Sequence, residues 1–349
     1  MTSKNNQIDD QIKQYETNRG AIIFAIPMQL FPMLRGYAYL IFDENSSPAH
    51  FTLVDTGSVS PEANRQLETS LTWISEKISK PVDFSTLDEV LLTHGHIDHF
   101  GGCYQIRQHS SCPIVIHELD LRILTNYEER VVIVSKRLTE FLIEAGASEK
   151  SRAEYLEVYR MTKSLGKSID NVTTYQRMQD QLSRFKILHL PGHCAGEVVI
   201  KLDNILFSGD MVLDPITPHQ SPEHLTLYTG LGHYFESLQQ LKEWSSGVDL
   251  TLAGHGVPIR NLAGRIDEID HGHQERLGKI LDIFKKPQTI AQVSEQLFGQ
   301  VTGYNILLAL EETGAHVEYL YSRGYLEITN LEDLEENHKL VPIVYHRIR

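Results

Sequence analysis

The chain has 349 residues, 41% of them hydrophobic and 22% charged, and its formal net charge at pH 7 is −14. This length allows two or three domains with a large core, and the acidic balance argues against a nucleic-acid binder, which needs Lys and Arg to neutralise phosphates. The sequence has no run of eighteen or more apolar residues, so it predicts no transmembrane helix.

The start of the chain and the cysteines indicate a compartment. Residues 1–19 are polar and lack the apolar core of a signal peptide, so we expect them to be an N-terminal extension of a cytoplasmic protein. The chain has three cysteines, which give no disulfide framework and fit a reducing environment: Cys103, Cys112 and Cys194.

Short apolar and aromatic runs predict β-strands in the first third of the chain, because glycine, proline or acidic residues bound each of them. These strands are predicted at 21–27, 37–44, 51–57, 88–96 and 113–118. Between them, Pro61 and the helical spacing of the apolar residues that follow predict a helix over 61–79. A second helix is expected near 101–109.

Residues 119–180 differ in character from the rest. They carry helical periodicity, many charges and no strand-like alternation, so we interpret them as a helical insertion. After the insertion, further strands are predicted at 185–191, 197–203, 204–210 and 249–256. Helices are predicted over 233–244 and 263–285. This mixture of strands and helices predicts an α+β fold.

The tail after residue 285 has its own pattern. TIAQVSEQLFG (289–299) and NILLALEETGAHVEYLYSRG (305–324) predict two helices, and YLEIT and VPIVYHRI predict a hairpin. Two helices and a two-stranded wing predict a winged-helix domain over 286–349. From 287 onward this tail carries nine acidic and four basic side chains, a net of −5. We therefore expect it to pack against the rest of the protein, to form a dimer or to line the active-site cleft, rather than to bind DNA.

The stretch THGHIDHFGG (93–102) places three histidines and an aspartate within six positions. His94 and His96 alternate and so point the same way, while Asp98 and His99 follow one turn later. Imidazole suits zinc, iron and manganese, and a carboxylate makes the ligand set harder. The stretch therefore predicts part of a metal site.

Three distant residues of ligand type each end a short apolar run and stand beside glycine. They are His193 in PGH, Asp210 in FSGD and His255 in AGHG. Glycine lets the backbone turn sharply close to an ion. We therefore expect these three side chains to complete a dinuclear site with the histidine motif.

The motif HxHxDH, followed by GH, GD and GHG in this order, resembles the metallo-β-lactamase superfamily over residues 20–285. The resemblance implies an αββα four-layer sandwich with the metals at one edge, a helical cap at 119–180 and a C-terminal winged-helix domain. An aspartate at 210 is more similar to the glyoxalase II and nuclease branches than to zinc β-lactamases. The appended tail resembles a winged-helix-bearing branch that includes endoribonuclease-like proteins.

The same resemblance implies two divalent metal ions, with zinc expected and iron or manganese as alternatives. The implied ligands are His94, His96 and His193 for the first ion and Asp98, His99 and His255 for the second. Asp210 would bridge both ions, and Asp55 in VDTG (54–57) would orient the motif loop. A hydroxide bridging the metals would attack the substrate, with Asp98 or Asp210 accepting a proton during turnover.

The leading function is hydrolysis of a small ester, thioester or lactone-like substrate, because the cap is rich in Leu, Ile, Val and Tyr. A phosphodiesterase or endoribonuclease is the alternative, supported by the winged-helix resemblance and opposed by charge. An iron-dependent oxidoreductase and a regulatory protein with a vestigial metal site are further alternatives. The expected partner is a small molecule rather than a membrane or nucleic acid, and the tail leaves a homodimer open.

Four other residues have roles that the sequence leaves open. His271 and His273 lie on the helix after the last implied ligand, and Tyr228 lies in the loop after Asp210, so each either reaches the pocket or packs elsewhere. Cys194 follows His193 where hydroxyl residues are common in the family, and we interpret it as a supporting or packing residue.

Overall fold

Two β-sheets form the centre of the fold in a computed structural model, which describes residues 12–44, 49–336 and 340–348. The first sheet has seven strands in sequential order: β1 (Lys13–Glu16), β2 (Ile22–Phe31), β3 (Leu34–Asp43), β4 (His50–Val54), β5 (Glu89–Leu91), β6 (Ile114–Ile116) and β7 (Val172–Thr174). Strands β1 to β4 pair antiparallel, and β4 to β7 pair parallel. Parallel neighbours need crossover connections, and helices supply them.

The second sheet has four strands, in the spatial order β11, β10, β9 and β8. Their bounds are β8 (Lys186–His189), β9 (Val198–Leu202), β10 (Ile205–Gly209) and β11 (Leu250–Ala253). Only β10 and β11 pair parallel within this sheet. Both strands therefore end at the same edge, which places the residues that follow them close together.

Twelve α-helices lie in the described part of the chain. Before the second sheet they are α1 (Pro61–Ile78), α2 (Ile97–Phe100), α3 (Cys103–His109), α4 (Leu121–Thr125), α5 (Tyr127–Glu144), α6 (Glu149–Lys163) and α7 (Tyr175–Met178). The helices that follow the first strand of the second sheet are α8 (Leu231–Trp244), α9 (Leu262–Ile283), α10 (Ile290–Phe298), α11 (Tyr304–Ser322) and α12 (Leu331–Glu336). The Ser60 side chain caps α1 by accepting from the Ala63 N–H, and Pro61 opens its first turn.

Three apolar clusters show that the elements are stacked in four layers. Successive residues of β2 point to opposite faces: Phe24 packs with α1, whereas Ile23 packs between the two sheets. In β10, Phe207 joins the cluster between the sheets, and Leu206 faces the cluster of α8 and α9. The order is helix, sheet, sheet, helix, in a mixed α+β fold of the expected kind.

Two short strands differ from the predicted organisation. The prediction of an entirely helical insertion over 119–180 is wrong at 172–174, because β7 pairs there with β6 as the edge of the first sheet. The predicted extension 1–19 contains β1, which pairs with β2; residues 1–11 lie outside the described residues. Both strands are too short, at three and four residues, to show a period of two in the sequence.

The tail contains α10, α11 and a two-stranded sheet of β12 (Leu326–Ile328) and β13 (Tyr345–Arg347), with α12 between the strands. This order agrees with the predicted elements, while the winged-helix assignment itself stays a prediction. The tail does not have a core of its own: Leu310 and Val317 of α11 share one apolar cluster with Phe141 of α5 and Tyr234 of α8. In the described ranges, none of the helices is long and apolar enough to cross a bilayer.

Candidate metal centre

The seven implied ligands lie together at one edge of the sandwich, at the ends of strands or in the loops that follow them. His94 and His96 lie in the loop after β5, and Asp98 and His99 lie in the short helix α2. The other three follow β8, β10 and β11 and are His193, Asp210 and His255. Of the seven, only His96 and Asp98 are more than marginally exposed to solvent.

His94, His96 and His193 form one group. The Nε2 atoms of His94 and His193 each lie 3.0 Å from Nδ1 of His96. One nitrogen from each ring thus faces a common point, and these atoms lie within 4.8 Å of one another. Three converging imidazole nitrogens are a ligand set for a divalent transition metal.

Asp98, His99 and His255 form a second group, and Asp210 lies between the two. Nε2 of His255 lies 3.4 Å from Oδ2 of Asp98 and 3.5 Å from Oδ2 of Asp210. The other oxygen of Asp210 lies 3.4 Å from Nε2 of His99, and its Oδ2 lies 3.7 Å from Nε2 of His193. The Asp210 carboxylate therefore faces both groups at once.

Two buried atoms show that this arrangement fits a cation. His99 Nε2 and Asp210 Oδ1 have no hydrogen-bond partner among the described residues. Their separation of 3.4 Å matches the distance of about 3.4 Å between two ligands that bind one tetrahedral ion at about 2.1 Å. Burying a polar atom without a partner is costly, and a bound cation would satisfy both atoms.

Hydrogen bonds on the far side of three rings fix which nitrogen faces the centre. Nδ1 of His193 donates to the backbone carbonyl of His219 (2.8 Å), and Nδ1 of His255 donates to that of Arg35 (2.6 Å). A carbonyl only accepts, so each ring carries a proton on Nδ1, which leaves Nε2 as its metal-binding atom. Nδ1 of His99 lies 2.8 Å from Oδ2 of Asp55, which has the same effect.

Asp55 also contacts the motif loop. Its Oδ1 accepts the Thr93 N–H (2.8 Å), and its Oδ2 accepts the Thr93 hydroxyl (2.9 Å). One buried carboxylate thus holds the residue before His94 and the ring of His99. These contacts fix the start and the end of the motif relative to each other.

The electrostatics of the site combine an anionic carboxylate, a neutral imidazole at His94 and a protonated imidazole at His255. Burial and the neighbouring histidines hold the pKa of His94 well below its usual range. Burial opposes ionisation of Asp210, but His255 and His99 outweigh it and lower its pKa. Burial likewise opposes protonation of His255, but the charge of Asp210 raises its pKa to about 9. Without a cation, His255 therefore keeps a proton at neutral pH, and a cation bound beside Asp210 would displace it.

Two buried carboxyl groups that support the site were not found from the sequence. The first is Asp120, which accepts the N–H groups of Gly95 (2.8 Å) and Gly196 (3.0 Å), beside His96 and near His193. It also accepts from Sγ of Cys194 (3.2 Å), which gives this cysteine a supporting role.

The second of these carboxyl groups belongs to Glu197. It accepts the Asp210 N–H (3.0 Å), and its Oε2 lies 3.1 Å from Nδ1 of His94. Burial and then Asp210 raise its pKa well above the usual range. Neither Asp120 nor Glu197 stands in a motif, so the only signal was an acidic residue within four positions of a buried strand.

Gly254 makes room for the second group. A Cβ atom at this position would overlap Cε1 of His99 and Oδ1 of Asp210. Its backbone N–H donates to the carbonyl of Gly209, which brings the ends of β10 and β11 together. The glycine before His255 is therefore required by close approach to the site.

Three of the residues whose roles the sequence left open do not join the seven. His271 is exposed on α9 and pairs with Glu275, whereas His273 is buried against His316 of the tail. Tyr228 is 48% exposed.

One of these, His273, belongs to another buried group of ligand-type residues. His273, Glu312 and His316 place their ligand-type atoms within 4.8 Å of one another. There, the Arg276 guanidinium already forms an ion pair with the Glu312 carboxylate, which disfavours a second cation.

Similarity to known proteins extends over most of the chain. The sequence model of the metallo-beta-lactamase superfamily matches residues 33–255. A curated relative, "Probable metallo-hydrolase YqjP" from Bacillus subtilis (strain 168), is 26% identical over 285 residues, which are 77% of this chain and 84% of the relative.

Two solved structures share the fold over nearly the whole chain. A metallo-beta-lactamase family protein from Thermus thermophilus has a TM-score of 0.72 at 23% identity, covering 93% of this chain and 98% of its own. A beta-lactamase domain protein from Burkholderia ambifaria has a TM-score of 0.65 at 21% identity, covering 96% and 93%. The sequence match and the fold together show that the chain belongs to the metallo-beta-lactamase superfamily.

Proposed function

We propose that the protein is a metal-dependent hydrolase that binds two divalent cations at the seven-residue site. The proposed ligands are His94, His96 and His193 for one cation and Asp98, His99 and His255 for the other, with Asp210 shared. Zinc is the proposed metal, and iron and manganese are the alternatives. The name of the Bacillus subtilis relative, a probable metallo-hydrolase, supports the reaction class.

The observation that carries this proposal is the position of Asp210. Its carboxylate lies 3.4 to 3.7 Å from ring nitrogens of both histidine groups, and its buried Oδ1 has no hydrogen-bond partner among the described residues. A structural carboxylate in a buried site is normally fully hydrogen-bonded. This one is arranged as a ligand to two sites.

Divalent cations bound here supply Lewis acidity and bring the pKa of water toward neutrality. The residues of the chain contribute orientation and proton transfer. Asp98 is the partly exposed carboxylate of the site, so we infer that it accepts a proton from an incoming water and passes it to solvent. Asp55 and the carbonyl groups of Arg35 and His219 keep the rings in their binding orientation.

The proposed substrate is a small ester, thioester or lactone-like molecule, and Lys163 of the cap is the residue proposed to contact it. Lys163 ends α6; burial lowers its pKa, and the negative charges of Asp98 and Glu311 oppose this effect. An ammonium group that interacts electrostatically with Asp98 suits a carbonyl or carboxylate oxygen of a small substrate. Apolar cap residues such as Leu138 and Phe141 pack in the cluster shared with the tail rather than facing the metal site.

The phosphodiesterase or endoribonuclease alternative finds less support in the tail. Helix α11 would be the recognition helix of a winged-helix domain, yet most of its residues, including Leu307, Leu310 and Val317, are buried. It also carries Glu311, Glu312 and Glu318 rather than basic side chains. A buried acidic helix is unsuited to a DNA groove or a phosphate backbone.

Metal analysis and a substrate panel test the proposal together. The purified chain is stripped with a chelator, reconstituted with zinc, manganese or iron, and assayed on thioesters, lactones, bis(p-nitrophenyl) phosphate and RNA. We expect two metal ions per chain and metal-dependent hydrolysis of a carboxylic ester, thioester or lactone. His255→Gln should lose one ion and activity, whereas the exposed His271→Gln should keep both. A reconstituted chain that binds no metal would falsify the proposal, and cleavage of the phosphodiester alone would favour the alternative.

A further inference from the structure

The loop between Asp210 and α8 contacts the metal centre at two points of the Gly192–His193 turn. The carbonyl of His219 accepts Nδ1–H of His193 (2.8 Å), and the Gly230 N–H donates to the carbonyl of Gly192 (2.9 Å). This loop, residues 214–230, therefore sets the orientation of the His193 ring.

Helix α11 of the tail holds the same loop through its acidic side chains. Oε2 of Glu312 accepts the Gln220 N–H (2.8 Å), and Glu318 accepts the N–H groups of Glu223 (2.7 Å) and His224 (3.2 Å). The tail residues that argued against phosphate binding in the sequence thus bind backbone N–H groups. Their function concerns the loop, and through it the site.

One peptide group of the loop forms hydrogen bonds through both its carbonyl and its N–H. The carbonyl of His219 and the N–H of Gln220 belong to the same peptide unit; the first accepts from His193 and the second donates to Glu312. A charged acceptor on the N–H polarises a peptide and makes its carbonyl a stronger acceptor. A stronger acceptor on Nδ1–H in turn makes Nε2 of the ring a better metal ligand.

Glu312 is itself held as an anion. It is only 7% exposed, and Arg276 forms an ion pair with its Oε1. Burial opposes ionisation, but His316, His219 and Arg276 outweigh this effect and lower the pKa of Glu312. The carboxylate therefore faces Gln220 with its charge intact.

We propose that Glu312 is a positioning residue for the metal centre, acting on His193 through the peptide group between His219 and Gln220. His99 has the carboxylate of Asp55 directly on its Nδ1, and His193 has the carboxylate of Glu312 one peptide farther away. The tail thus belongs to the metal site by function. This inference rests on the proposed function, because it takes His193 as a metal ligand.

Glu318 provides the matched control. It lies on the same helix and binds the same loop with two hydrogen bonds, but it does not contact the 219–220 peptide. Glu312→Gln and Glu318→Gln each remove one charge and keep the shape of the side chain. Arg276 pairs with Glu312 and, among the described residues, not with Glu318, so the cobalt spectrum, which reports the metal ligands, separates positioning from a purely structural role.

The experiment compares zinc affinity of the full chain and both variants by competition with a chromophoric chelator, with the cobalt absorption spectrum as a second readout. We expect E312Q to bind zinc about tenfold more weakly and to shift the cobalt bands, and E318Q to match the parent. Equal affinities for all three chains, or equal losses in both variants, would overturn the inference. If E312Q does not fold, Glu312→Asp replaces it, because Asp keeps the charge but withdraws it from the Gln220 N–H. A parent chain that binds no zinc refutes the proposed function instead.

Discussion

Asp120 offers the sharpest test of how the two halves of the site are held together. Its carboxylate connects Gly95, in the histidine motif, with Gly196, in the turn after His193. These positions lie 101 residues apart in the chain, so the carboxylate joins two loops that are remote in sequence. We predict that Asp120→Asn destabilises the fold and weakens metal binding.

The size of the effect follows from the bonds that asparagine can keep. Oδ2 of Asp120 accepts from Gly95 and Cys194, and Oδ1 accepts from Gly196. An amide has one oxygen, so its NH2 group must face at least one buried backbone donor. Leaving such a donor unpaired costs about 1–3 kcal/mol, and the remaining hydrogen bonds no longer have a charged acceptor. We therefore expect the free energy of unfolding to fall by about 2–3 kcal/mol.

Urea denaturation of the metal-free chain measures this loss without a contribution from the ion. Glu118→Gln is the control, because Glu118 is exposed two residues away and should change the unfolding free energy by less than about 0.5 kcal/mol. Amide exchange at Gly196 should also accelerate in Asp120→Asn. A variant as stable as the Glu118→Gln control, with unchanged exchange at Gly196, would show that Asp120 does not join the two loops.

Three further predictions concern pH, close packing and metal removal. Burial lowers the pKa of His273 to about 3. Below about pH 6.5 this side chain therefore binds a proton in the unfolded chain but not in the folded one, so the free energy of unfolding falls from about pH 6.5 down to about pH 3. Between about pH 6.5 and 5, the free energy of unfolding of His273→Gln, measured by thermal denaturation, should therefore fall by about 2 kcal/mol less than that of the parent. Identical pH profiles of the two chains would contradict this. Gly254→Ala should cost about 1–3 kcal/mol and lower the metal content measured by elemental analysis, since its Cβ would overlap His99 and Asp210, whereas full metal content would refute the steric argument. Chelation should lower the unfolding midpoint, and zinc at about 100 times its Kd should restore about 2.7 kcal/mol; a midpoint insensitive to metal would contradict the proposed ligands.

The histidine motif and the three glycine-flanked ligands could be located from the sequence because their signals are local. Each lies directly after an apolar run, and the glycine beside it marks a sharp backbone turn. His94 and His255 are 161 positions apart, but the shared pattern of strand, glycine and ligand placed them at one sheet edge. The structure brings the same seven side chains together.

The supporting carboxyl groups could not be located in this way. Asp120 and Glu197 accept from backbone N–H groups 13 to 76 residues away, and no spacing rule connects an acidic side chain to backbone N–H groups in other loops. Helical geometry also separates two residues that the sequence pairs. HGH at 271–273 repeats the letters of 94–96, but on a helix alternate residues diverge, so His271 is exposed and His273 is buried.

The apolar cluster that joins α5, α8, α9 and α11 has a consequence for dissecting the protein. A truncated chain ending near residue 286 would leave Tyr234, Ile269 and Phe284 without the tail members of their cluster, among them Leu310, Val317 and Tyr345. Such a fragment would expose a large apolar surface and self-associate in solution. Expression of either part alone is therefore a poor route to its properties, and recombination with a foreign tail would need to reproduce the whole contact face.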